Sequence, residues 1–180
     1  MSRTLILALS AGLLAGTACE RHDEAGPGAG KGDSVAIAQV RPTAGNEAHG
    51  TVAFEKVNGG VRVVARLEGL APGKHGFHIH ESGDCSAPDA SSAGEHFNPT
   101  GASHGGRLDE RTHVGDMGNI EADASGKSHL EYIDPRLTLD GGQSVVGKAI
   151  IVHAGADDLR SQPSGDSGAR VACGVIERDV

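Results

Sequence analysis

Gly76-Phe77-His78-Ile79-His80-Glu81 is the stretch on which the reading of this chain turns. Written as a β-strand, it sends alternate side chains to opposite faces. Phe77 and Ile79 then enter a core, while His78 and His80 project together from the other face. Two imidazoles on one rigid strand make half of a metal site, because neutral imidazole is the commonest protein metal ligand. Further histidines follow at His96, His104, His113 and His153.

Working outward, short apolar-rich or alternating segments recur at 35–40, 51–56, 61–67, 75–81, 128–133, 145–152 and 169–177. Turn signals such as Asn58-Gly59-Gly60, Ala71-Pro72-Gly73 and Asp140-Gly141-Gly142 stand between most of them, and no stretch keeps a helical period. With 28 glycines among 180 residues, this is the texture of an antiparallel sandwich or barrel in one domain. Aromatics are limited to Tyr132, Phe54, Phe77 and Phe97, so the core rests on Val, Ile, Leu and Ala. Two intervals, 82–115 and 153–169, are too long for hairpin turns, and long loops in a compact domain are usually functional. The net charge is −8 with scattered basic residues, which excludes a nucleic-acid surface built on a clustered basic patch.

Residues 1–18 read as an export signal: Arg3, an apolar run from Leu5 to Leu14, then Gly16-Thr17-Ala18. Cleavage after Ala18 leaves Cys19 first, an arrangement that resembles a bacterial lipoprotein signal in which the cysteine is lipidated, although Gly16 stands where Leu is usual. The alternative is simple secretion with a spare thiol. Residues 19–33 then form a tether rich in Gly, Ala and charge, and residues 34–180 form the domain. Removal of 1–18 takes away one Arg and no acid, leaving 15 Lys+Arg against 24 Asp+Glu, a net −9. An exported protein can hold a disulfide. Three cysteines make one pair and one left over, so if Cys19 is the anchor, Cys85 and Cys173 are the pair.

The metal donors fall in order along the chain: His78 and His80; His96 in Glu95-His96-Phe97-Asn98-Pro99; His104 before Gly105-Gly106; His113 with Asp116; and His153 after Ile150-Ile151-Val152. Imidazole sets suit copper and zinc, and a carboxylate added to imidazoles suits tetrahedral zinc. Seven donors exceed the needs of one such ion. Two adjacent ions sharing one ligand would use eight positions from seven residues. Asp116-Met117-Gly118-Asn119 reads locally as a turn, with His113 three residues earlier favouring a ligand pair. His75 is out of ligand register and reads as a structural hydrogen-bonding residue; His22, in the tether, and His49 and His129, in or beside turn-like segments, read as surface groups.

Two longer motifs carry a family resemblance: Gly76-Phe77-His78-Ile79-His80-Glu81-Ser82-Gly83-Asp84-Cys85 and Gly165-Asp166-Ser167-Gly168-Ala169-Arg170-Val171-Ala172-Cys173-Gly174-Val175-Ile176. Over residues 34–180 the chain resembles a copper/zinc superoxide dismutase of the exported bacterial kind. The resemblance implies an all-β, eight-stranded antiparallel Greek-key barrel or sandwich with two long functional loops. It implies one copper on His78, His80, His96 and His153, and one zinc on His96, His104, His113 and Asp116, with His96 as the shared and catalytic bridge. Asp157 becomes the carboxylate linking a copper-ligand histidine to a zinc-ligand one, with Asp158 as a competitor. Arg170 becomes the catalytic guanidinium that draws and orients the anion, and Cys85–Cys173 the disulfide.

The implied reaction is dismutation of superoxide to dioxygen and hydrogen peroxide by a redox-cycling copper, protecting a cell envelope. The implied setting is the periplasm or envelope, with membrane contact only through Cys19, and with either a monomer or a homodimer as the assembly. The loop from His153 to Arg170 is shorter than in animal enzymes, and its usual substrate-guiding charges have no clear counterparts; Lys148, Arg160 or Lys127 are the candidates to replace them. A copper-delivery module on the same fold would lose copper ligands or the arginine, and a sandwich held by zinc alone would have no use for the copper set. Every one of those residues is present, which favours the enzyme.

Overall fold

A computed structural model of the chain describes residues 35–179. The signal, the tether and Cys19 lie outside the described residues. Eight strands form: β1 (Val35–Pro42), β2 (His49–Val57), β3 (Gly60–Glu68), β4 (Gly73–His80), β5 (Asp116–Ala122), β6 (Ser128–Asp134), β7 (Ala149–His153) and β8 (Arg170–Arg178). Every pairing is antiparallel, and the order β1-β2-β3-β6-β5-β4-β7-β8 closes on itself. The non-sequential neighbours β3–β6 and β4–β7 give the Greek-key connection, and closure removes free sheet edges. Among the described residues the one helical element is the 3-10 turn Ser91–Ala93.

Alternation explains the barrel wall. In β3, Val61, Val63, Ala65 and Leu67 are buried while Arg62, Arg66 and Glu68 face solvent. The same inward row, continued by Ala36, Val52, Phe54, Phe77, Ile79, Ile150 and Ile176, fills one core. β4 departs from alternation: six consecutive residues from His75 to His80 are buried. Phe77 and Ile79 belong to the barrel core, as their spacing predicts. His78 and His80 point outward and are buried because segments 81–115 and 154–169 cover that face. The candidate metal donors His78 and His80 therefore lie on the outside of the barrel, under two loops.

Two features differ from the residue pattern. β5 runs through 116–119, which reads locally as a turn. Asp116, Gly118 and Asn119 have poor strand propensity, yet Met117, Ile120 and Ala122 enter the core and pair the segment with β4. β7 starts at Ala149 rather than 145, because Val145–Lys148 closes a turn through the Lys148 N–H to the Val145 carbonyl at 3.1 Å. His49 and His129 lie in β2 and β6, and both are exposed, in agreement with their reading as surface groups.

The covering loops are tied down at specific points. A β-bulge interrupts the β4–β5 register between Gly76 and His78. There the Ile79 N–H reaches the Gly115 carbonyl at 2.9 Å and the Phe97 N–H reaches the Ile79 carbonyl at 2.8 Å, laying the loop across β4. The Cys85–Cys173 disulfide joins the same loop to β8 across 88 residues of chain. His75 bonds the His153 carbonyl through Nδ1 and the Ala71 carbonyl through Nε2, both at 2.8 Å, which is the structural role its register predicts.

Candidate metal centre

Two groups of four side chains each place one donor atom per residue within 4.8 Å of the others: His78, His80, His96 and His153, and then His96, His104, His113 and Asp116. All seven residues are buried. β4 supplies His78 and His80 and β7 supplies His153. Asp116 opens β5, while His96, His104 and His113 descend from the covering loop.

In the first group each ring has one nitrogen engaged. His78 Nε2 bonds Asp157 Oδ2 at 2.8 Å, His80 Nδ1 the Gly94 carbonyl at 2.8 Å, His153 Nδ1 the Gly168 carbonyl at 3.0 Å, and His96 Nδ1 faces Asp116 Oδ1 at 2.7 Å. The opposite nitrogens, His78 Nδ1 and Nε2 of His80, His96 and His153, are buried without any hydrogen-bond partner. Buried polar atoms are nearly always satisfied. Four orphans from four converging imidazoles mark a place for a cation that takes nitrogen lone pairs. For His78, His80 and His153 the carbonyl and carboxylate partners put N–H on the engaged side and leave the lone pair inward, whereas His96 Nδ1 faces into the second group.

Burial also keeps these rings neutral. It lowers the proton affinity of His78 to about 4 despite its Asp157 partner, of His153 to about 3, and of His80 to about 2. Neighbouring rings add to the effect, and so does the positive charge of Arg170 on His80 and His153. A ligand histidine must be deprotonated to bind a metal, and these three already are at neutral pH.

The second group centres on Asp116. Its Oδ2 accepts from the N–H of Gly105 at 3.1 Å, the N–H of His113 at 3.0 Å and the Thr112 hydroxyl. Oδ1 is thereby aimed at three ring nitrogens: Nδ1 of His96, His104 and His113 at 2.7, 2.9 and 3.1 Å. Three imidazoles and one carboxylate form a closed four-coordinate set, the kind that suits zinc. Burial alone would raise the Asp116 carboxyl, but its bonds to His104, His96 and Thr112 hold it well below the ordinary range. Burial opposes charge on His104 too, yet the carboxylates of Asp116 and Asp157 raise that ring to about 9. His96 takes part in both groups, through Nε2 in one and Nδ1 in the other.

Asp157 spans the two groups, with Oδ2 on His78 Nε2 and Oδ1 on His104 Nε2 at 3.0 Å. Asp158 is exposed and instead caps the N–H groups of Arg160 and Ser161. Arg170 is half-buried at the start of β8, its Nη1 bonding the Ala90 carbonyl and its Nη2 the Gly94 carbonyl, both at 2.7 Å. Of the candidate guiding charges, Lys127 pairs with Glu68 and Lys148 donates to the Glu81 carbonyl, while Arg160 is exposed beside Leu159. Arg136, which no sequence pattern singles out, forks onto the buried Asp134 carboxylate and donates to the carbonyls of His113 and Asp116 at 3.3 and 3.1 Å. Asn119 and Gln162 are equally hidden in the sequence, because a bond to main chain leaves no residue-type signal in the partner.

Two four-donor sets that share one imidazole, carried on the outer face of a closed antiparallel barrel, define a binuclear metalloprotein. The family model described as copper/zinc superoxide dismutase matches residues 48–176. The chain is 43% identical to the superoxide dismutase [Cu-Zn] of Onchocerca volvulus over 152 residues, covering 78% of this chain and 94% of that protein. It is 40% identical to the extracellular superoxide dismutase [Cu-Zn] of Brugia pahangi over 152 residues, covering 79% of this chain and 75% of that protein. Among solved structures, one described as the clock protein EA4 superimposes with a TM-score of 0.73 at 39% identity, covering 81% of this chain and 94% of that chain. The chain belongs to the copper/zinc superoxide dismutase family. It is an oxidoreductase whose family reaction is the dismutation of superoxide with one copper and one zinc ion.

Proposed function

We propose that His78, His80, His96 and His153 hold the copper of this dismutase, and that His96, His104, His113 and Asp116 hold its zinc. The observation that carries the assignment is the set of four orphan ring nitrogens in the first group. When bound, copper supplies one-electron redox chemistry and zinc, which has none, supplies a fixed charge. The chain does the rest. Asp157 and the carbonyls of Gly94 and Gly168 fix which nitrogen of each ring faces inward. His96 Nε2 is the atom at which a proton is held for delivery to the reduced anion. Arg170, oriented by two carbonyls and still partly exposed, attracts and aligns superoxide on an otherwise acidic protein.

Metal analysis with a superoxide assay on purified protein tests this reading. About one copper and one zinc per chain are expected, and His153→Ala should lose copper and activity while keeping zinc and the fold. Full activity in that variant would remove His153 from the copper set.

The proposal extends to the setting. We infer an exported enzyme of bacterial type, anchored by a lipid on Cys19 and protecting the periplasm or cell envelope. The support is the charge and apolar pattern of residues 1–18 ahead of Cys19, together with an extracellular relative. Cys19→Ser should move the protein from the membrane to the soluble fraction, and unchanged membrane fractionation would rule the lipid out.

A further inference from the structure

Gln162 lies in the 154–169 loop, outside both sequence motifs, yet its carboxamide grips the main chain of His104 twice. Oε1 accepts from the His104 N–H at 2.8 Å, and Nε2 donates to the His104 carbonyl at 2.9 Å. Two bonds to both polar groups of one residue fix the peptide planes on either side of it, as a rung of an antiparallel ladder does. The same loop holds the His104 ring through Asp157 Oδ1 at 3.0 Å. One loop therefore holds this histidine at three points.

The loop is able to act as a support because it is itself fixed. Asn119 of β5 makes the matching grip on Asp157, accepting from its N–H at 2.8 Å and donating to its carbonyl at 2.9 Å. Between Asp157 and Gln162, the Asp158 carboxylate caps the N–H groups of Arg160 and Ser161 at 2.9 and 2.8 Å. The Gly165 N–H bonds the Ser161 carbonyl at 2.7 Å, and the Asp158 N–H the Gly165 carbonyl at 2.9 Å. His104, by contrast, sits in an irregular stretch next to Gly105 and Gly106, with no strand or helix to set its direction. A chain of contacts thus runs from rigid β5 through Asn119, Asp157 and Gln162 to the His104 main chain.

We propose that Gln162 is a positioning residue for zinc, holding the His104 backbone so that Nδ1 points into the four-donor set while Nε2 meets Asp157. This rests on the zinc assignment made above. Groups behind the metal ligands typically contribute 10- to 100-fold to metal affinity, and removing this one should fall at the lower end because Asp157 keeps its hold on the ring.

The test is chelator competition for zinc on the copper- and zinc-loaded protein, with copper content and metal-free melting temperature measured alongside. Gln162→Ala should weaken zinc by about tenfold, with copper content unchanged and the metal-free melting temperature close to that of the parent. Gln162→Glu keeps the acceptor and loses the donor, so its zinc affinity should fall between the two. Zinc held by Gln162→Ala within a factor of about two of the parent overturns the proposal. So does a loss of metal-free stability with no change in zinc, which is what a merely structural role would give. His104→Ala separates this from the underlying assignment. If that variant keeps zinc as tightly as the parent, His104 is not a ligand, and the assignment falls together with the role of Gln162.

Discussion

Gly165→Ala is the perturbation whose outcome the geometry constrains most. Gly165 has φ +70°, and a Cβ there would lie 1.8 Å from Asp157 Oδ1 and 2.7 Å from His104 Nε2. Ordinary contact begins near 3.4 Å, so the carboxylate must retreat by about 1.6 Å. Such a shift breaks the 3.0 Å bond from Asp157 to His104 and strains the 2.8 Å bond to His78. Two separable costs follow. The left-handed backbone penalises any L-side chain by about 1–2 kcal/mol. Loss of the carboxylate behind the ligands weakens metal binding about 10- to 100-fold, equivalent to about 1.4–2.8 kcal/mol. Gly141 supplies the control: its φ is +78° and a Cβ there would meet no heavy atom within 4 Å, so Gly141→Ala shares the backbone cost and not the collision. In metal-free stability both variants share the backbone cost, and Gly165→Ala should lose more because the collision also breaks the buried bond from Asp157 to His104. In chelator competition, only Gly165→Ala should lose zinc affinity, by tenfold or more. Equal zinc affinities for the two variants would refute the reasoning, because the collision would then have no consequence for the metal.

Arg170→Glu should slow turnover on the order of tenfold or more and reverse its salt response. Added salt screens attraction in the parent and repulsion in the variant, so stopped-flow rates at low and high ionic strength that move the same way in both proteins would contradict a steering role. The metal-free protein should be most stable near pH 6.5. His78, His153 and His80 have folded values of about 4, 3 and 2, below the unfolded value of about 6.5, so their contribution is present above pH 6.5 and lost on acidification. His104, raised to about 9, contributes fully below 6.5 and loses that contribution as pH rises through 9. Melting temperatures in chelator at pH 4.5, 6.5 and 9 check both limbs, and a curve that keeps rising away from 6.5 on either side would be inconsistent with them. Cys173→Ser should cost about 2–5 kcal/mol in chemical denaturation, because the disulfide closes a span of 88 residues; a cost under about 1 kcal/mol would show that the loop is held by its other contacts.

The barrel was legible wherever one face meets water. β3 alternates without error, so its inward row can be read directly from the residues. β5 was not legible, because Asp116, Gly118 and Asn119 have poor strand propensity and hide the apolar spacing of Met117, Ile120 and Ala122. In the site, the histidine pair on β4 was readable from period two alone. The choice between Asp157 and Asp158 was not, since both are loop carboxylates and only burial separates them. Least legible were the main-chain partners. The carbonyls of Gly94 and Gly168 orient His80 and His153, but any residue carries a carbonyl, and only the fold says which one arrives.

One of those carbonyls has a wider consequence. The oxygen of Gly94 accepts from His80 Nδ1 and from Arg170 Nη2 at once. The residue proposed to hold the redox ion and the residue proposed to receive the substrate thus hang from a single peptide unit, in a loop that the disulfide pins to the strand bearing Arg170. Neither can be retuned alone. A substitution that tilts this peptide changes how the anion is greeted and how the ion is held together, so drift in this loop would be felt by both halves of the catalytic cycle at the same time.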